Sequence, residues 1–326
     1  MPLIPSRFRP PASLANGHLQ TILAVLLPRR IALKSTRTRL ELPDGDFLDL
    51  DWTRAGHERL SIISHGLEGS STQKYVRGLA ATLHAAKWDV LAWNFRGCSG
   101  EPNRLLRAYH SGDTADLAAV IAHAAPGYPQ IALVGFSLGG NVTLKYLGEA
   151  LPHPAIAAAA AISVPLDLAS SARALDQRRA NRIYLRRFIV PLVAKIEAKA
   201  RDFPGQVNTD GVRALRSFQE FDGRYTAPMH GFRDAEDYWT RASARQFLPN
   251  IATPTLILNA RNDPFLTADS LPYREAEANP SLFLETPDSG GHVGFLDFAR
   301  GVQPWSERRV VEFLGGLDGT KVRDSG

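Results

Sequence analysis

The chain has 326 residues, of which 44% are hydrophobic and 22% charged, and its formal net charge is +5. This ordinary globular composition excludes a disordered or fibrous protein, and the length suits one large domain with an insertion. The single cysteine excludes an intrachain disulfide, so we expect a reducing, cytoplasmic location.

Prolines and arginines interrupt residues 1–10, so the chain begins without the apolar core of a signal peptide. The longest apolar runs are Thr21–Leu27 and Ala155–Ile162. Both fall far short of the roughly 20 residues that span a bilayer. We therefore expect a soluble protein, for which peripheral contact with the inner membrane surface is still open.

In chain order, a proline-rich start leads to two strands joined by a turn at residues 43–46. Strands and helices then alternate along the chain. The predicted strands are Ile31–Leu42, Phe47–Trp52, Leu60–Ser64, Asp89–Trp93, Ile131–Phe136, Ile156–Ser163, Thr255–Asn259 and Ser281–Glu285. The predicted helices are Thr72–Ala86, Gly112–Ala125 with Ser111 as its cap, Leu138–Ala150 and Pro304–Leu314.

This alternation predicts an α/β fold with a mainly parallel sheet covered by helices on both faces. An antiparallel start that leads into such a sheet is the layout of the α/β-hydrolase fold. We predict a catalytic domain formed by residues 1–169 and 251–326. Residues 170–250, helical in pattern, are predicted to form an inserted cap.

The predicted cap is where the positive charge lies. Residues 170–203 hold nine basic and three acidic residues, a net charge of +6 that leaves the rest of the chain close to neutral. A nucleic-acid binder usually spreads its charge over a larger face, so we predict no nucleic-acid partner.

Within the cap, an apolar stripe recurs at helical spacing and consists of Leu185, Ile189, Leu192 and Ile196. Pro191 is expected to kink this helix or to begin a new one. A basic helix with an apolar stripe can lie weakly on an anionic membrane surface. We favour the interpretation in which the stripe packs over the active site and the arginines are exposed to solvent.

The sharpest motif is GFSLGG at residues 135–140. Gly-x-Ser-x-Gly alone is weak, but here a predicted strand ends at the motif and a helix begins immediately after it. Such a strand-to-helix turn raises the serine above the sheet, and the helix N-terminus directs N–H groups at charge that forms there. This context predicts Ser137 as a nucleophile.

A serine nucleophile needs a general base. His292 lies in a glycine-containing loop between the last strand and the last helix, where this fold supplies its base. Asp263 follows the strand Thr255–Asn259 and completes the chain order Ser, Asp, His. Asp167, after the strand Ile156–Ser163, is the rival acid.

An oxyanion hole needs two preorganised N–H donors. The backbone of Leu138, directly after the nucleophile, is the first candidate. The second is Leu67, in the loop after the strand Leu60–Ser64. His65 in the same loop is expected to fix the loop by packing and not to act as a second base.

Two further patches are expected to be structural. Arg96 is predicted to pair with Asp113 and so to hold loops near the site. Cys98 is a lone residue beside glycines, without the partners that catalysis or metal binding would need. We find no metal-ligand spacing and no phosphate-binding loop, so we predict neither a metal nor a cofactor.

With these motifs the chain resembles the YheT-like branch of the α/β-hydrolase superfamily, also called the AB-hydrolase-4 group. Seven motifs in order along nearly the whole chain carry the resemblance. They are NGHLQT (16–21), HGLEGSS (65–71), NFRGCSG (94–100), YHSGD (109–113), GFSLGGN (135–141), ARNDPF (260–265) and GGHVGF (290–295).

The resemblance implies hydrolysis of carboxylic esters, either short- to medium-chain acyl esters or lipid-like esters. A second hypothesis is a non-catalytic module that binds lipid or protein. Acyltransferase or thioesterase chemistry would use the same residues and is also left open. Residues 16–21 have no obvious catalytic role, so we expect them to pack at the rim of the site, with His18 structural.

Overall fold

The computed structural model describes residues 3–149 and 151–316. Residues 1–2 and 317–326, at the two ends of the predicted catalytic domain, lie outside the described residues, and so does Ala150, the predicted end of one helix. The strands are β1 (Leu3–Ile4), β2 (Thr36–Glu41), β3 (Phe47–Thr53), β4 (Arg59–Ser64), β5 (Asp89–Trp93), β6 (Gln130–Phe136), β7 (Ile156–Ile162), β8 (Thr255–Leu258) and β9 (Leu282–Glu285). The helices are α1 (Gly17–Leu26), α2 (Lys74–Ala85), α3 (Thr114–Ala124), α4 (Leu138–Glu149), α5 (Leu168–Gln177), α6 (Arg182–Asp202), α7 (Phe218–Phe221), α8 (Ala227–Met229), α9 (Ala235–Ala242), α10 (Tyr273–Ala278) and α11 (Trp305–Gly315).

These strands form one sheet in the order β1-β9-β8-β7-β6-β4-β5-β3-β2. Only the β2–β3 and β3–β5 pairings are antiparallel, and the others are parallel. The predicted α/β-hydrolase fold is therefore confirmed, including its antiparallel start. Because the strands from β4 to β9 are parallel, their carboxyl ends meet at one edge, where this class of sheet binds its ligands.

Apolar residues of the central strands alternate between the two faces of the sheet, as strand geometry requires. On β6, Leu133 packs with the cluster that holds Leu117 of α3 and Val142 of α4. Its neighbour Val134 packs with the cluster that holds Val76 of α2 and Val310 of α11. Because both faces are covered, the strand consists of an uninterrupted buried run.

Between β7 and β8 the chain builds a third apolar cluster from helices α5 to α9. As expected, the stripe on α6 faces inward: Leu185, Ile189 and Ile196 are buried, and Leu192 is half-buried. Helix α6 continues through Pro191, so no new helix begins there. The carbonyl that Pro191 leaves without a donor belongs to Arg187, one turn earlier, and Arg187 is an exposed residue, so water can take the place of the missing N–H and the helix can continue.

Several predicted boundaries differ from those of the structure. The strand expected from Ile31 begins at Thr36, and the helix expected from Thr72 begins at Lys74. Helix α3 has Asp113 at its N-cap position and not Ser111. Ser111 is engaged elsewhere, because its N–H donates to a tyrosine hydroxyl of α9 and its carbonyl accepts an amide N–H from α4.

Among the helices that the structure describes, none combines the length and the apolar composition needed to cross a membrane.

Candidate active site

Ser137 lies at the turn between β6 and α4, at the edge where the parallel strands end. Its φ of +51° is in the left-handed region, which non-glycine residues rarely adopt, and it matches the strained turn predicted from the motif. The Ser137 N–H donates to the Ile162 carbonyl at 2.9 Å. A Cβ on Gly139 would overlap the carbonyls of Ser64 and His65, so glycine lets α4 approach the end of β4.

The predicted base lies beside this serine. His292 follows β9 in a tight loop, and its Nε2 lies 3.0 Å from Ser137 Oγ. Its Nδ1 lies 2.8 Å from Asp263 Oδ2. A carboxylate can only accept, so the proton belongs on Nδ1, and Nε2 is left to accept the serine hydroxyl proton.

Asp263 follows β8 and is buried. Its Oδ2 accepts from His292, and its Oδ1 accepts from the Phe265 N–H at 2.8 Å. The Phe265 ring lies 4.0 Å from the imidazole ring, measured between centroids. With both carboxylate oxygens engaged, the acid and the ring it bonds are held in one orientation.

The structure does not bring the rival acid to His292. Asp167 is the N-cap of α5, and its Oδ1 accepts from the Ser170 N–H at 3.0 Å. Of the two acids considered, only Asp263 contacts the imidazole of His292.

Residues that sequence reasoning left without a role hold the histidine loop. The His292 N–H donates to Thr21 Oγ1 at 2.8 Å, and the Val293 N–H donates to Ser163 Oγ at 2.9 Å. Gln20 bonds the backbone of Leu296 through both its amide nitrogen and its oxygen. In the sequence, the motif at residues 16–21 was the feature that could have indicated Gln20 and Thr21, but we expected from it only packing at the rim of the site. In the same motif, His18 Nδ1 is hydrogen-bonded to the hydroxyl of Tyr184 on α6, and the two rings stack.

Both predicted oxyanion donors lie beside the serine. Leu138 is the first residue of α4, so its N–H has no partner within the helix. Leu67 follows β4, and both leucines line the same cavity as Ser137. Among the described residues, neither of these N–H groups takes part in a hydrogen bond.

His65 fixes the loop that contains Leu67. Its Nδ1–H donates to the Gly66 carbonyl at 2.7 Å, and its Nε2 accepts from the Phe95 N–H at 3.2 Å. Burial lowers the pKa of His65 to about 4. With both nitrogens bonded and the ring neutral, His65 is not placed to act as a second base.

The predicted pairing of Arg96 with Asp113 is wrong. Arg96 bonds Asp116 through two nitrogens at 2.8 and 2.7 Å and also pairs with Asp44 and Asp46. Asp113 pairs with Arg107 at 2.6 Å. The two acids lie at different positions of α3, Asp113 at the N-cap and Asp116 at the third residue of the helix, and only the Asp116 carboxylate forms hydrogen bonds with Arg96.

Cys98 lies against a lysine of α6, with its Sγ 3.2 Å from the ammonium of Lys195. Burial raises the pKa of its thiol to about 11. A thiol that stays protonated at neutral pH is a poor nucleophile, in agreement with the structural role expected for it.

A cavity of about 120 Å³ opens at Ser137 and His292. Its wall comes from both the sheet edge and helices α5, α6, α7 and α9, and most of it is apolar. Asp222 is the one acidic residue of this lining, and the lining contains no lysine or arginine. Burial raises the pKa of Asp222 to about 6, and its two oxygens already accept hydrogen bonds from Thr226 Oγ1 and Trp239 Nε1. The rest of this lining suits an uncharged, largely apolar group.

Three side chains among the described residues could share a metal ion: His57, His84 and Asp89, whose ligand atoms lie within 4.8 Å of one another. They lie at the amino end of β5, far from the serine. Spacing along the sequence did not indicate them because they come from separate segments. The Asp89 carboxylate already accepts from two backbone N–H groups and from Tyr128. That the site needs no metal and no cofactor stays a prediction.

Known proteins resemble this chain in sequence and in fold. The profile of the alpha/beta hydrolase fold family matches residues 62–299. Escherichia coli YheT is 36% identical over 318 residues, which cover 95% of this chain and 93% of YheT. Mouse phospholipase ABHD3 is 29% identical over 309 residues, covering 91% of this chain and 75% of ABHD3.

A solved structure of the Pyrococcus furiosus esterase Pf2001 superposes with a TM-score of 0.59 at 18% identity, covering 88% of this chain and 92% of that one. At this identity the likeness concerns the fold alone. The family profile and the YheT match show that the likeness extends to the sequence. The chain thus belongs to the α/β-hydrolase fold family and, within it, to the YheT-like branch.

Proposed function

We propose that this protein is a serine carboxylester hydrolase in which Ser137 is the nucleophile, His292 the general base and Asp263 the orienting acid. One observation carries the proposal. The hydrogen-bond chain from Ser137 Oγ to His292 Nε2, and from His292 Nδ1 to Asp263 Oδ2, opens on an apolar cavity. The relatives add support, since YheT bears the name of an esterase and ABHD3 that of a phospholipase.

In the first half of the reaction, Ser137 Oγ attacks the ester carbonyl carbon while His292 Nε2 takes the hydroxyl proton. Asp263 stabilises the imidazolium that forms and keeps its proton on Nδ1. The N–H groups of Leu67 and Leu138 donate to the carbonyl oxygen as it gains negative charge. His292 then returns the proton to the alcohol oxygen, the C–O bond breaks, and an acyl-enzyme remains.

In the second half, water takes the place of the alcohol. His292 accepts a proton from the water as it attacks the acyl carbon, and the tetrahedral intermediate uses the same two N–H donors. Collapse releases the carboxylic acid and returns the proton to Ser137 Oγ. These steps use only side chains and backbone groups of the chain.

The cavity supports an uncharged small-molecule or lipid ester as the substrate. Apolar residues such as Phe188, Leu192 and Phe218 of the cap line it, and burial of an alkyl chain against them is worth about 0.8 kcal/mol per CH₂. An anionic head group would find no counter-charge among these lining residues, which include no lysine or arginine. We infer that the acyl chain enters the cavity and that any anionic part stays outside.

In this proposal residues 1–169 and 251–326 form the catalytic domain, and residues 170–250 form the cap. The cap supplies most of the apolar wall, so differences in chain-length preference should arise there. Acyltransferase and thioesterase reactions would pass through the same acyl-enzyme and differ only in the nucleophile or the leaving group. The non-catalytic alternative requires Ser137 to be unreactive.

Two measurements test the proposal. A fluorophosphonate probe should label the wild-type chain and not Ser137→Ala, because it reacts with an activated serine. A series of p-nitrophenyl esters from two to sixteen carbons should be hydrolysed with a maximum at short or medium chain length. Absence of both labelling and hydrolysis would favour the non-catalytic module.

We also propose cytoplasmic location and weak peripheral contact with anionic membranes through α6. The outer face of this helix exposes Arg182, Arg186 and Arg187. On the same helix Ile183 and Val190 are 64% and 57% exposed. The inward stripe is buried, so attraction to the membrane would rest mainly on the arginines.

Anionic vesicles should therefore sediment the protein at low salt and release it at high salt, because surface attraction is screened within about 10 Å at 0.1 M. Phosphatidylglycerol and phosphatidylcholine vesicles provide the comparison. The double variant Arg186→Gln, Arg187→Gln should bind less, and Arg274→Gln, an exposed charge on α10, should bind as wild type. Equal binding to both vesicle types, or none at low salt, would contradict the proposal.

A further inference from the structure

The loop that presents Leu67 is held in place by bonds to the peptide groups around it. The Leu67 N–H shares a planar peptide unit with the Gly66 carbonyl. That carbonyl accepts from His65 Nδ1 at 2.7 Å and from the Gly69 N–H at 3.0 Å. The next peptide is also held, because the Glu68 N–H donates to the Tyr109 hydroxyl at 2.9 Å. The direction of the Leu67 N–H therefore depends on how this short loop is anchored.

Glu68 is the anchor on the far side of Leu67. Its φ of +52° is left-handed, a conformation that a glutamate keeps only when its surroundings hold it there. Its side chain is only 7% exposed. Its Oε1 accepts from the Tyr109 hydroxyl at 2.7 Å and from the ammonium of Lys195 at 2.8 Å. The strained residue is thus tied down at both its backbone and its carboxylate.

The cation that pairs with Glu68 comes from the other part of the molecule. Lys195 is on α6, whereas Glu68 and Tyr109 belong to loops at the sheet edge. Its ammonium also lies 5.2 Å from the centre of the Tyr109 ring. Leu192, one turn earlier on α6, lines the cavity together with Leu67. The same helix therefore both covers the substrate cavity and holds the loop beside it.

We propose that Lys195 is a positioning residue for the oxyanion hole, which fixes the Leu67 N–H through its salt bridge to Glu68 when α6 is docked. This inference rests on the proposed function and specifies how the cap takes part in it. Its consequence is that the cap controls the rate of the chemical step as well as the shape of the cavity.

Removal of Lys195 leaves a carboxylate that is buried without a counter-charge. Such a group either takes up a proton or turns toward water. In both cases the ionic link to α6 is lost, so the strained Glu68 backbone and the adjoining Leu67 peptide are no longer held from that side. The oxyanion donor is then displaced, although the apolar cavity is intact. A donor aimed at charge that develops only in the transition state affects kcat and not substrate binding.

Lys195→Met should lower kcat about 10- to 100-fold, less than or equal to the loss of one complete oxyanion donor. KM should change no more than about threefold, because the cavity wall is unchanged. Lys195→Arg should recover much of the rate, since a guanidinium can also pair with Glu68. Glu68→Gln should be slow as well, and the double variant Lys195→Met, Glu68→Gln should be little worse than either single variant.

Lys199→Met is the matched control. Lys199 is one turn further along α6, and its ammonium also bonds the catalytic domain, at the carbonyls of Asn103 and Leu105. The Lys199→Met substitution weakens the docking of α6 but leaves the salt bridge to Glu68 in place. The kcat of this variant should therefore stay within about threefold of wild type. The rate of labelling by a fluorophosphonate, whose phosphoryl oxygen also needs the oxyanion hole, should fall in Lys195→Met and not in Lys199→Met. Melting temperatures of all variants show whether they are folded.

The possible outcomes distinguish a failure of the positioning role of Lys195 from a failure of the proposed function. If the wild-type chain is active but Lys195→Met and Lys199→Met have equal kcat, or if Lys195→Met changes only KM, the positioning role is wrong and the proposed function stands. If Lys195→Met does not fold, Glu68→Gln, which has nearly the same shape, decides the point by the same ratio of kcat to KM effects. If the wild-type chain neither hydrolyses esters nor reacts with the probe, the proposed function and this inference fall together.

Discussion

Ser137→Ala and His292→Ala are each expected to abolish ester hydrolysis to near background. In the structure Ser137 Oγ and His292 Nε2 are 3.0 Å apart in the lining of the cavity, and the proposed mechanism gives them one shared proton-transfer step. Groups that act as a unit lose nearly all of their effect when either is removed, with losses of roughly 10⁶ in kcat in comparable triads. For the same reason the double variant should be little worse than either single variant.

The measurement is kcat/KM on the best p-nitrophenyl ester, with thermal melting to show that each variant is folded. His123→Ala is the control, because this histidine is exposed on α3 and should be dispensable. Either variant of the pair that keeps a tenth of the wild-type activity would refute the assignment.

Asp263→Asn is expected to lower kcat by roughly 10³ to 10⁴. The buried carboxylate accepts the Nδ1–H of His292, whereas an asparagine amide can donate to that nitrogen. The proton would then move to Nε2, and His292 could no longer accept the proton of Ser137. The variant loses activity because the imidazole of His292 has the wrong tautomer and not because substrate binding is changed, so KM should change much less than kcat.

Asp167→Asn is the matched comparison for this variant. Asparagine caps a helix as well as aspartate does, so the bond to the Ser170 N–H at the start of α5 is retained. We expect activity close to wild type. If Asp167→Asn were the severe variant and Asp263→Asn the mild one, the orienting acid would belong to the end of β7 and not to the end of β8.

The sequence by itself determined the fold class and the residues of the candidate site. The parallel sheet follows from short apolar runs that alternate with helical patterns, and these are local signals. Ser137 could be identified because the motif, the strand before it and the helix after it are contiguous. His292 and Asp263 could be identified because this fold places them after particular strands. For Ser137 the necessary information lies in adjacent residues, whereas for His292 and Asp263 it lies in the order of the strands along the chain.

Only the tertiary structure decided which distant side chains meet. Arg96 meets Asp116 and not Asp113 because the rotation of α3 against the sheet selects the partner. Thr21 holds the backbone of His292 across 271 residues of chain, and Lys195 reaches Glu68 across 127. Spacing along the chain carries no information about such contacts, because they arise only when separately formed elements dock. The three candidate catalytic residues are therefore predictable from the sequence, whereas the groups that hold them in place depend on how α1 and α6 pack at the edge of the sheet.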